Sequence, residues 1–246
     1  MLERIEGIVT GVVRHNDKHN IVTLYTRTRG RMAFLVPLGK SKSGRLRNVA
    51  LSLMAVVSAD VRISGEKELY PLRQINTERL WHGIYSNPVK SSVLFFLTEF
   101  CNRLVRQYPG DEHLWNYIIN SLDVLDRIEP RKIANFHIAF LVRMLPLVGI
   151  QPSLSIGEQG HRFDMLAGEM VDTSRLSFTR KVSLLSEEES GKVGTLLRMN
   201  FSNMWHFRFT SAERNYILDR LLYYYSIHLP MGVDYKSLDV LREFYS

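Results

Sequence analysis

Apolar residues alternate with polar ones along the first part of this chain, and from about Thr77 onward they recur every third or fourth position. The first period is that of a half-buried strand and the second that of an amphipathic helix, so the pattern predicts a β-rich part followed by a helical part. Ile5-Glu6-Gly7-Ile8-Val9-Thr10-Gly11-Val12-Val13 reads as a strand whose glycines permit bulges and strong curvature. A polar turn, His15 to Asn20, separates it from Ile21–Thr26, and Arg29-Gly30 separates that strand from Arg31–Val36. Two further strands are expected around Leu53–Ile63 and Glu68–Ile75, on either side of Ser64-Gly65-Glu66-Lys67. About five strands in under 80 residues match a small closed barrel of the OB type.

In the helical part, Val93, Leu97, Phe100, Cys101, Leu104 and Tyr108 follow Asn87-Pro88 at helical spacing. Pro109-Gly110-Asp111 ends that helix and starts another carrying Leu114, Tyr117, Ile118, Ser121, Leu122 and Leu125. Pro130 opens a third helix whose Ile133, Phe136, Phe140, Leu141, Met144 and Leu145 surround most of its circumference, which places it at the centre of a bundle. Ser186–Glu189 and Thr210–Glu213 are capping boxes that mark two more helix starts, and a short helix is expected from Ser237 to Tyr245. The fold class is α+β. Residues 1–79 form an OB-fold domain and residues 80–246 an α-helical domain, with an irregular insertion around 150–182.

Charge sharpens this division. Residues 1–79 hold 14 basic and 7 acidic side chains, whereas residues 80–246 hold 18 of each. Between Lys18 and Ala59 lie eight cations (Lys18, Arg27, Arg29, Arg31, Lys40, Lys42, Arg45 and Arg47) and no acid. A positive field confined to a small β-rich unit attracts a polyanion, of which nucleic acid is the commonest. The structural alternative is a solvated basic face kept for solubility. One cysteine, Cys101 in an apolar run, excludes an internal disulfide framework and reads as a buried thiol. The start of the chain has early acids and no apolar core, and no uncharged stretch is long enough to span a bilayer as a helix. The expectation is a soluble intracellular protein without a membrane partner.

Catalytic signals are poor. His15 and His19 flank a turn signature, so loop histidines are a better reading than metal ligands. Gly191-Lys192-Val193-Gly194-Thr195 lacks the upstream glycine and the strand of a phosphate loop. Glu187-Glu188-Glu189 is explained by the positive end of a helix dipole. His137 sits in the most apolar helix and reads as a hydrogen-bonded core residue, and His161 and His206 have no better context. Nothing here asks for an enzyme or a cofactor. Binding signals are better: an OB-type barrel holds single strands by a basic groove and by aromatic faces on which bases stack. Arg27, Arg29 and Arg31 share parity beside a turn, and Lys40, Lys42, Arg45 and Arg47 lie on a loop that could clamp a strand. Tyr25 is the nearest stacking candidate and Phe34 the next, each set against an inward-facing role in the barrel core. No residue suggests base-specific readout.

Gly7-Ile8-Val9, Ile21–Thr26, Gly30-Arg31 and Gly39-Lys40-Ser41-Lys42 together resemble the opening of the bacterial RecO family. Phe136–Leu141 leading to Gly149-Ile150-Gln151-Pro152 is similar to that family's central helix and its exit. Tyr224–Pro230 and Lys236–Leu241 are similar to its C-terminal end. The resemblance spans nearly the whole chain in order. It implies an OB-fold that binds single- and double-stranded DNA, a helical domain, and a place in the cytoplasm with the nucleoid. It also implies the annealing of complementary strands and help in loading a recombinase onto DNA coated by single-strand-binding protein. The implied partners are the recombination protein RecR and the acidic, Phe-ending tail of the single-strand-binding protein. Arg131, Lys132 and Arg143, read on the central helix, are candidates for that tail, against a solvated-face alternative. Many family members carry a four-cysteine zinc site after the segment matching Gly149–Pro152, yet Ser153–Arg175 has no cysteine. No structural zinc is expected. Phe163 and Leu166 are the candidates to dock the insertion in its place. Three other readings remain open: an OB protein acting on RNA, a hydrolase built on His137 and His161, and a scaffold with an incidental basic patch.

Overall fold

The computed structural model describes residues 2–38, 51–63, 65, 68–72, 74–106, 108–154, 161–173 and 183–244. The chain forms two compact units, Met1–Pro130 with Tyr235–Phe244, and Arg131–Asp234.

The first unit is built on a curled sheet of six strands, an OB-fold-like half-barrel. They are β1 (Leu2–Arg14), β2 (His19–Thr26), β3 (Gly30–Pro37), β4 (Val56–Arg62), β5 (Tyr70–Pro71) and β6 (Asn76–Arg79), in the order β5-β3-β2-β1-β4-β6. The long β1 pairs antiparallel with β2 and with β4, and its register with β2 shifts between Val9 and Gly11. That irregularity, at one of the glycines the pattern marks, bends the strand so that it serves two neighbours. The expected fifth strand around Glu68–Ile75 is reduced to the two-residue β5 on the sheet edge. Pro71 has no N–H to continue a ladder there. The sixth strand, Asn76-Thr77-Glu78-Arg79, carries no apolar residue and therefore gave no strand signal.

Period 2 places Ile5, Val9, Val22, Leu24, Phe34 and Val57 inside the curl. The opposite face of β1 and β2 is buried as well, including Ile8 and Tyr25. Helices α1 (His82–Tyr85), α2 (Pro88–Leu104) and α3 (Glu112–Arg127) belong to this unit, and Tyr25 lies 6.3 Å from Trp115 of α3. Asn87 caps α2 by accepting from the Lys90 amide, with Pro88 in the first turn, and Asp111 caps α3 through the Leu114 amide.

The second unit contains α4 (Phe136–Met144), the hairpin β7 (His161–Asp164) and β8 (Glu169–Asp172), α5 (Glu187–Leu197) and α6 (Ser211–His228). A last helix, α7 (Ser237–Glu243), belongs to the first unit. Every residue of α4 except Arg143 is buried, as its all-round apolarity requires. Pro130 does not open α4: Pro130–Lys132 is a 3-10 turn, and the helix begins four residues later. Both expected capping boxes are complete, with side chain and backbone bonded in both directions at Ser186–Glu189 and Thr210–Glu213.

The insertion is not wholly irregular, because β7 and β8 form a hairpin within it. Phe163 is buried against Tyr224 of α6, as expected, but Leu166 is 59% exposed. Its place is taken by Met165, which is buried and whose carbonyl accepts from His228 Nε2 at 2.9 Å. Ser190 Oγ accepts from the Phe163 amide at 2.9 Å, and the Tyr224 hydroxyl donates to the Ile150 carbonyl at 3.1 Å. Buried Asp164 closes the hairpin turn by accepting from the Leu166 amide at 2.9 Å. Apolar packing and hydrogen bonds thus anchor the described part of this insertion.

Candidate nucleic-acid interface

The cations that the sequence groups together have different surroundings. Arg27 and Arg29 lie in the β2–β3 turn, exposed, and both meet carboxylates. Arg29 donates to Glu3 of β1 through Nε at 3.0 Å and through a terminal nitrogen at 2.7 Å. Arg27 pairs with Glu112 at the start of α3 and lies 3.9 Å from Glu6 of β1. These bonds raise both guanidinium pKa values further, and Glu3 is held below the usual carboxylate range by Arg29. Their charge is partly met inside the unit.

Arg31 differs. It is the second residue of β3, opposite Tyr25, it is exposed, and its pKa is lowered by desolvation and by the positive charge of Arg106. Arg106 follows α2 and is also exposed. Among the described residues neither has a carboxylate within ion-pair distance. An exposed guanidinium with a like charge nearby and no carboxylate partner is relieved by an anion, and a phosphate supplies one. Arg106 was missed in the sequence because nothing local links a helix end to a strand some 75 positions earlier (Arg31).

Tyr25 does not offer a stacking face. It is fully buried, its hydroxyl bonds to the backbone of Asp111, and burial pushes its pKa up to about 12. Strand parity turns it toward α3 and away from solvent. Phe34 is likewise buried, 6.1 Å from Tyr70 within the curl. Lys40, Lys42, Arg45 and Arg47 lie outside the described residues.

In the second unit, Arg131 and Lys132 stand on the 3-10 turn and not on the central helix, which carries only Arg143, exposed. Lys132 Nζ lies 5.5 Å above the ring of Trp205. His137 is buried within α4, and burial followed by the charge of Arg214 brings its pKa down to about 3. A neutral imidazole sealed in a core is poorly placed for acid–base work. Burial also pushes the Cys101 thiol up to about 12. Among the described residues no three His, Cys, Asp or Glu side chains gather as a metal would need, and no helix is long and apolar enough to cross a membrane.

An OB-like half-barrel with exposed arginine on β3, continued by a helical part, has a counterpart among known families. The family model described as Recombination protein O N terminal matches residues 1–81, and the one described as Recombination protein O C terminal matches residues 85–239. The chain belongs to the RecO family. It is 32% identical to the DNA repair protein RecO of Phocaeicola vulgatus over 246 residues, covering all of both chains. It is 31% identical to that of Bacteroides fragilis over 245 residues, again over the whole of both, and 29% to that of Porphyromonas gingivalis over 96% of each. The join between the two family models falls at residues 81–85, at the end of the sheet and the start of α1, whereas the first compact unit runs on through α3 to Pro130.

Proposed function

We propose that this chain acts in DNA repair and recombination as a non-catalytic mediator. It binds single- and double-stranded DNA, anneals complementary strands and helps load a recombinase onto strands coated by single-strand-binding protein. The observation that carries this reading is Arg31 of β3, exposed on the curled sheet and without a carboxylate within ion-pair distance among the described residues, in the part of the chain that holds its excess positive charge. Contacts of that kind engage phosphates without reading bases, which suits a protein that must act on any sequence. The cations Lys40, Lys42, Arg45 and Arg47 extend the interface on the strength of charge alone, with Arg27 and Arg29 contributing by exchanging carboxylate for phosphate.

No chemistry is required of the protein. Two strands held by one molecule meet at high effective concentration, and base pairing drives the product. RecR and the acidic tail of the single-strand-binding protein are the partners of this reading, the tail meeting Arg131, Lys132 or Arg143 in the second unit. The test is a strand-annealing assay with complementary oligonucleotides, one strand coated by single-strand-binding protein. The reading expects annealing well above the spontaneous rate with DNA, and a smaller effect with matched RNA. Annealing no faster than without the protein would overturn it.

A further inference from the structure

The neutral balance of the helical part hides a second segregation of charge. Residues 130–157 contain Arg131, Lys132 and Arg143 and no acid; residues 190–212 contain Lys192, Arg198 and Arg208 and no acid. The fold brings these two stretches together. Buried Asn135 donates through Nδ2 to the carbonyls of Met204, at 2.9 Å, and Phe207, at 2.7 Å, while Phe136 stacks on Phe201 with centroids 4.7 Å apart. Arg214 Nε donates to Asn135 Oδ1 at 3.2 Å and so fixes the amide from below. The turn itself is tied by Asn203, whose Oδ1 accepts from the Asn200 amide at 2.8 Å and whose Nδ2 donates to the Arg198 carbonyl at 3.0 Å.

What this braced turn presents is Trp205. The indole is 40% exposed, with Lys132 Nζ 5.5 Å from its centroid and the exposed His206 ring 5.7 Å away. Arg131 and Arg208 are exposed on the same two stretches. A large aromatic held outward on a hydrogen-bonded turn loses little entropy on contact, and its flat face beside the Lys132 ammonium matches a base with its phosphate.

We propose that Trp205 and Lys132 form a second site for single-stranded nucleic acid, on the helical unit, with Trp205 as the stacking platform and Lys132 meeting the adjacent phosphate. The inference deepens the annealing reading and rests on it, since a chain that joins two strands needs a hold on each. Trp205 provides the stacking surface that the sequence sought at Tyr25.

The protein carries its own probe. Of its three tryptophans, Trp81 and Trp115 are buried at 1% and 4% exposure, so a change at the solvent-facing indole reports Trp205. The experiment adds a fluorescently labelled oligo(dT) to the full chain and follows tryptophan emission and label anisotropy together. Anisotropy is repeated with Trp205→Ala, Trp205→Phe and Lys132→Ala in an Arg31→Ala, Arg106→Ala background, where contacts from the sheet are weakened. Quenched emission is expected, with affinity about tenfold lower in Trp205→Ala and largely restored in Trp205→Phe, as loss of one stacked base implies. Binding by anisotropy with unchanged emission and an unaffected Trp205→Ala would overturn the second site and leave the annealing reading standing. No binding of oligo(dT) by the unmodified chain would overturn both. Quenching by a short acidic peptide ending in phenylalanine, but not by oligo(dT), would assign the turn to a protein partner and overturn the inference.

Discussion

The hydroxyl of Tyr25 is tied to the backbone of Asp111, donating to its carbonyl at 3.4 Å and accepting from its amide at 3.2 Å. One side chain of β2 thus closes onto the residue that caps α3, and the strand and helix are registered against each other. Removing the hydroxyl leaves the Asp111 amide short of an acceptor while keeping the ring in contact with Trp115. Tyr25→Phe is expected to lower stability by about 1 kcal/mol, measured by urea unfolding, with oligo(dT) affinity unchanged. A residue that stacked on bases would show the opposite pattern, with affinity falling on Tyr25→Ala and stability held.

The turn that carries Arg27 and Arg29 is seated by glycines. Gly30 adopts φ +67°, and a Cβ on Gly110 would lie 2.4 Å from the Thr28 carbonyl carbon and 2.7 Å from the Arg29 nitrogen. Those atoms are backbone and cannot rotate away. Gly110→Ala is expected to cost roughly 1–3 kcal/mol by overpacking, read as a lower midpoint in thermal or urea unfolding. Gly65, also at positive φ, has open space around its Cβ position, so Gly65→Asn should meet only the backbone strain of that φ and cost less than Gly110→Ala.

The anchoring of the hairpin separates two neighbours in sequence. Phe163→Ala removes a buried ring packed on Tyr224 and should cost about 3–5 kcal/mol, whereas Leu166→Ala should change stability by less than about 0.5 kcal/mol. Because apolar packing and hydrogen bonds hold this segment, a chelator should leave the melting temperature where it was.

Much of this fold was legible locally. Both capping boxes, the Asn87-Pro88 start of α2 and the buried circumference of α4 follow from residues three or four apart, and each is present. What was not legible depends on partners distant in sequence. The carboxylates that meet Arg27 and Arg29 are Glu112 and Glu3, and no local pattern links them. Strand alternation showed that Tyr25 had a definite side, but not that α3 would cover that side. The charge tally of the helical part balanced, which concealed the acid-free stretches that meet at Trp205. The β7–β8 hairpin escaped because four-residue strands carry too few positions to display a period.

Acid should weaken both capping-box helix starts, Glu213 being held below the usual carboxylate range by Thr210 as Glu189 is by Ser186. Glu189 is held at a pKa of about 2, chiefly by Ser186, with Tyr216 also bonding to it. A carboxylate whose folded pKa is depressed stabilises the fold above its ordinary value of 4.5, and that stabilisation is lost as pH falls toward 2. The difference in urea midpoint between the native chain and Glu189→Gln should therefore be constant near neutrality and shrink between about pH 4.5 and 2.

The central claim is that phosphate is met by Arg31 of β3 and Arg106 after α2. The most direct measurement is the salt dependence of oligo(dT) binding, comparing the native chain with the Arg31→Ala, Arg106→Ala double variant and with Arg27→Ala, Arg29→Ala. Each single-strand phosphate contact contributes about 0.7 to the slope of log affinity against log salt. Loss of Arg31 and Arg106 should flatten that slope by about 1.4, and loss of the carboxylate-paired Arg27 and Arg29 should flatten it less. An unchanged slope in the Arg31, Arg106 variant, with tight binding retained, would contradict the claim and move the phosphate contacts elsewhere on the chain.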